Sequence, residues 1–102
     1  MKYIITESQK TKLRLIRRLS DIDAMLHFKM IKCTRWFNVC EMGVSKFIET
    51  IKTMISDEMY QNYFEDIQSD SEIIELKKFI ENYINTKHID KIKEFYKNYC
   101  AV

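Results

Sequence analysis

The 102-residue chain is 46% hydrophobic and 31% charged with a formal net charge of +2, a balance that suits one globular domain and argues against disorder. One glycine and no proline exclude the turn-rich sandwiches and barrels, which need such residues at their corners. No apolar run approaches the ~18–20 residues of a membrane span, and the apolar opening is shorter than the ~7–15 residues at the centre of a signal peptide, so the expected location is the cytoplasm. In that compartment Cys33, Cys40 and Cys100 are expected to be free thiols.

The chain opens MKYIIT, in which Tyr3, Ile4 and Ile5 suit a short strand or an extended arm docked on the rest. Thr6 followed three residues later by Gln9 is a capping-box pattern, which starts a helix near Glu7. At ~100° per residue, Leu15, Leu19, Ile22 and Leu26 fall in one apolar stripe, with Lys10, Arg14, Arg17 and Arg18 opposite. Asp21 lies one turn from Arg17 and is expected to pair with it. Met25 and Phe28 fall off the core stripe, so that half of the helix is either covered on two sides or part of a contact surface.

Residues 31–40 admit two readings. Ile31, Cys33, Phe37 and Val39 alternate like a strand, which would pair with the opening stretch. Trp36, Cys40, Val44, Ile48 and Ile55 recur instead at helical spacing, which favours a helix over about 34–55 with Gly43 as its weak point. After Ser56, residues 57–64 read as a short helix with Asp57 and Glu58 at its N-terminus, where acids suit the dipole. Ser69 and Glu72 form a second capping box, leading a helix with Ile73, Leu76, Ile80 and Tyr83 inward. A final helix carries Ile89, Ile92, Tyr96 and Tyr99 on one face. The predicted fold is mainly all-α: a single domain over 1–102, built as a bundle of four to five helices.

Few constellations for chemistry emerge. A phosphate-cradling loop needs several glycines, and the chain has Gly43 alone. His27, Cys33 and Cys40, completed by His88 or Cys100, have ligand chemistry, but the cysteines are too far apart for a zinc knuckle; core packing is the better reading, and no metal or cofactor is expected. No signature joins a cysteine nucleophile to His27 or His88. The acid neighbours Asp57/Glu58 and Glu65/Asp66 diverge on a helix, and no enzymatic activity is expected.

Charge is unevenly spread. Residues 1–55 hold 11 Lys/Arg against 5 Asp/Glu, and residues 56–102 hold 6 against 10. Residues 10–18 carry five bases and no acid, residues 57–75 seven acids and no base; the two either attract each other within the fold or mark separate partner sites. Lys10, Arg14, Arg17 and Arg18 form the candidate nucleic-acid face, although a pI near 8.4 is low for a dedicated binder. Arg35 and Trp36, residue types that dominate protein interfaces, join Met25 and Phe28 as the candidate partner-binding set.

The opening MKYIITESQ followed by LIRRLSDI resembles the start of short accessory proteins of tailed bacteriophages, over roughly residues 1–22. The resemblance carries no activity and assigns no functional residue. It implies a small protein that acts by binding a host protein. The reading is therefore a small non-enzymatic interaction protein that modulates a host defence or transcription component, with a nucleic-acid binder or a minor virion component as alternatives and the oligomeric state open.

Overall fold

The computed structural model describes residues 7–101, which form six helices: α1 (Glu7–Ile16), α2 (Leu19–Trp36), α3 (Val39–Met42), α4 (Val44–Tyr63), α5 (Asp70–Lys87) and α6 (Ile89–Cys100). The all-α bundle expected from the composition is the fold, with no strand among the described residues. The opening arm of Tyr3, Ile4 and Ile5 and the Thr6 cap lie outside them.

The helix expected to run on from Glu7 is two helices. At its break the Arg17 amide donates to the Leu13 carbonyl at 3.3 Å, and the Arg18 amide tightens onto the Leu15 carbonyl at 2.8 Å. The cause is tertiary: α1 packs on α5 while α2 packs on α4, so one straight helix cannot serve both. The stripe survives the bend, with Leu15, Ile22 and Leu26 buried. Asp21 pairs with Arg18 at 3.6 Å, one residue along from the expected Arg17.

The strand-or-helix ambiguity at 31–40 resolves as helix through Trp36. Phe37 is extended and closes α2, its amide donating to the Cys33 carbonyl at 3.0 Å. The expected helix over 34–55 is thus broken twice, at Phe37–Asn38 and at Gly43. Gly43 has φ +90 and ψ 156, a conformation nearly closed to L residues. The separate short helix expected at 57–64 is absent as such, because α4 runs unbroken from Val44 through Tyr63. Ser56, the apparent start of that helix, is buried and donates back to the Thr53 carbonyl at 3.1 Å. Ser69 does stand at the N-cap of α5, but its hydroxyl meets the Ser71 hydroxyl at 3.0 Å and makes no cap hydrogen bond.

The central element is α4, which contacts α2, α5 and α6. Its Phe47, Ile51, Ile55 and Met59 are fully buried among Ile22 and Cys33 of α2, Ile80 and Ile84 of α5 and Ile92 of α6. Full burial of each such side chain is worth roughly 1.5–3 kcal/mol. Phe47 also stacks on Phe95 at 6.1 Å between ring centres.

The thiols expected to be free are not all free. Cys40 of α3 and Cys100 of α6 form a disulfide across 60 residues of sequence, leaving Cys33 as the buried free cysteine. The Tyr96 hydroxyl reinforces the link, donating to the Cys40 carbonyl at 3.1 Å. No described helix is long and apolar enough to cross a membrane.

Candidate protein-binding face

Ile22, Leu26, Met30 and Cys33 turn one side of α2 to the core. A neighbouring arc of about 100° on the same helix carries Met25, Phe28, Lys32, Arg35 and Trp36. Phe28 is 71% exposed and Trp36 65%, among the largest apolar surfaces left open in the chain. Arg35 is exposed beside them, while Met25 is half-buried against the core. The four candidate partner-binding residues therefore share one helix face, Met25 at its floor and the other three projecting.

That face borders two open grooves along the seam between α2 and α4. One, of about 390 Å³, lies among Met25, Phe28, Lys29, Glu58, Asn62 and Tyr63 and neighbours. The other, of about 370 Å³, lies among Trp36, Phe37, Lys46, Thr53 and Met54 and neighbours. Sequence reasoning missed Phe37, which follows Trp36 at the end of α2, and Lys46 and Met54, which reach the face only through the return of α4. Lys32, also missed, was within reach: it stands four residues before Trp36, and its ammonium lies 4.5 Å from the centre of the indole.

The four candidate nucleic-acid residues fare differently. Arg14 grips Asp66 with both arms, Nη1 to Oδ2 at 2.8 Å and Nη2 to Oδ1 at 2.9 Å, and donates from Nη2 to the Tyr63 carbonyl at 2.6 Å. Its guanidinium also lies over the Phe64 ring at 4.9 Å. The hydrogen bond to Asp66 raises Arg14 above its ordinary value and holds the Asp66 carboxyl below its own. Arg18 covers the Tyr63 ring at 4.3 Å. Arg17 is exposed, and Lys10 is exposed with a partner of its own.

Basic and acidic segments thus face each other in part. Arg14–Asp66 is where they meet, while two further acids are paired by bases from outside residues 10–18, Glu58 with Lys29 and Asp57 with Lys77, each at 2.9 Å. Three of the seven acids in residues 57–75 are thereby neutralised inside the fold.

The titratable cluster at the α5–α6 corner joins helices. His88 donates from Nε2 to Asp23 Oδ1 at 2.5 Å, and the Tyr83 hydroxyl donates to the same oxygen at 2.9 Å. Burial works to raise the Asp23 carboxyl, but those two hydrogen bonds and the Lys87 charge outweigh it and hold it below the usual carboxylate range. His88 is 4% exposed and its Nδ1 is buried without a partner. The imidazole is oriented by Asp23, with its open nitrogen turned to the interior. His27 lies on the exposed side of α2. Burial pushes the Cys33 thiol up, which disfavours the thiolate a nucleophile or ligand needs. With Cys40 and Cys100 bonded to each other, the candidate ligands do not converge, and no described group of three or more His, Cys, Asp or Glu is placed to hold a metal.

Comparison with protein-family models finds no match to this chain, and comparisons with curated proteins and with solved structures find none.

Proposed function

We propose that this protein is a non-enzymatic binding module that modulates a partner protein through the exposed face of α2. The observation that carries the reading is the pair Phe28 and Trp36, 71% and 65% exposed on one face of a helix whose other side is fully packed. Covering two aromatic side chains is worth roughly 1.5–3 kcal/mol each, and Trp with Arg, here Trp36 beside Arg35, supplies a large share of interface energy. The resemblance of the opening residues to phage accessory proteins makes a host protein the proposed partner.

A tagged pull-down from bacterial extract tests this, with wild type and a Phe28→Ala/Trp36→Ala variant run side by side, each with and without nuclease. The expected result is one stoichiometric protein that survives nuclease and disappears from the variant. Retention by the folded variant overturns the assigned face. Recovery that vanishes with nuclease transfers the function to Lys10, Arg14, Arg17 and Arg18.

A further inference from the structure

The charges beside the aromatic ridge are not balanced. Every acid on the rims of the two grooves sits in an ion pair: Asp21 with Arg18, Glu58 with Lys29, and Glu49 with Lys52. The cations are not all so matched. Arg35 and Lys46 are exposed, and neither they nor Lys32, whose ammonium lies over the Trp36 ring, make an ion pair with a described residue. The face therefore presents apolar anchors in a field of uncompensated positive charge.

Its spacing is that of a helix partner. Phe28 and Trp36 stand eight residues apart on α2, which at 1.5 Å per residue separates them by about 12 Å along the axis. That is the distance between the first and last of three anchors at i, i+4 and i+7 or i+8 on a facing helix. Met25 and Met54, flexible and polarizable, floor the two grooves on either side and suit inserted apolar side chains.

We propose that the α2–α4 seam binds an acidic amphipathic helix of a partner protein, its apolar stripe seated on Phe28 and Trp36 and its carboxylates facing Lys32, Arg35 and Lys46. A second copy of this chain is a poorer occupant, since ridge against ridge in a twofold dimer brings those same cations together. A single nucleic-acid strand is also poorer. It stacks on several open rings in succession, whereas Lys32 already covers one face of Trp36, which leaves Phe28 as the most open ring on this ridge.

The proposal rests on the reading of this face as the contact surface, and its test separates the two. Trp36 is the one tryptophan in the chain, so its emission reports the seam directly. Four tryptophan-free probes are titrated into the folded protein. One is an acidic peptide of about four turns with leucines at i, i+4 and i+7, and one is the same peptide with lysine for every acid. The third is the acidic composition with the stripe scrambled, and the fourth is single-stranded oligothymidylate. The acidic striped peptide is expected to shift the emission to the blue and saturate, while the other three do not. An Arg35→Glu/Lys46→Glu variant, whose changes lie on exposed side chains, is expected to weaken that binding about tenfold. Equal binding of the acidic and basic striped peptides, no binding of either, or a saturable response to the oligonucleotide alone overturns the acidic-helix assignment. If Phe28→Ala/Trp36→Ala still abolishes capture of a protein from extract in those cases, the face stands and only its assigned occupant falls.

Discussion

His88 and Asp23, 65 residues apart in sequence, meet through a single hydrogen bond that fastens the α5–α6 corner to α2. Asp23→Ala leaves the buried Nε2–H of His88 without an acceptor and is expected to cost about 2 kcal/mol, the usual penalty for orphaning a buried donor. Urea unfolding at neutral pH measures it.

The same contact has a pH signature. The folded Asp23 carboxyl lies below its unfolded value, so its contribution to stability is present above the unfolded carboxylate pKa of ~3.9 and is lost as pH falls through the folded value. The stability gap between wild type and Asp23→Asn is therefore expected to narrow as melting is followed from pH 5 down to pH 2. A gap that widens with acid contradicts the assignment.

The disulfide predicts a thiol count. Native protein is expected to show no reactive thiol, because Cys33 is fully buried, and one thiol once unfolded without reductant. Closing a loop of 60 residues removes chain entropy worth about 4 kcal/mol by the loop-closure relation. Cys40→Ser and added reductant should each lower stability by up to that amount, and the two effects should not add.

Gly43→Ala isolates backbone strain from packing. A β-carbon there meets nothing within 4 Å, yet the residue sits at φ +90. A loss of about 1–3 kcal/mol is expected from the conformation alone, with core signals in the NMR spectrum unchanged.

On the α2 face the opposite holds. Phe28→Ala and Trp36→Ala should each change stability by less than about 1 kcal/mol, since mostly exposed side chains contribute little to the fold. Phe47→Ala, at a fully buried position, is expected to cost about 3–5 kcal/mol by the same denaturation assay.

How far the sequence could be read follows from which information is local. Leu15, Ile22, Leu26, Leu76, Ile80 and Ile92 were visible as core because a helix repeats its faces, and the lack of proline with a single glycine pointed to helices. The bend at Arg17–Arg18 was hidden because no helix-breaking residue marks it; it follows from α1 and α2 packing on different partners. Ser56-Asp57 mimicked a helix start in the middle of α4. Phe28, Arg35 and Trp36 were picked out by helical phase alone, whereas Lys46 and Met54 join them only when α4 folds back. The links Cys40–Cys100, Asp23–His88 and Arg14–Asp66 span 60, 65 and 52 residues, distances at which no periodicity speaks.

The Cys40–Cys100 bond also decides what the molecule does under tension. A pull on the two chain ends is carried past the closed ring from Cys40 to Cys100, so α4, α5 and α6 lie in a slack covalent loop, and α1 and α2 bear the load. At about 3.5 Å per extended residue, stretching stops after roughly 40 residues, near 140 Å, while the reduced chain pays out to about 350 Å. The oxidised protein is in this sense a tethered knot with a short leader, and the leader carries the aromatic face.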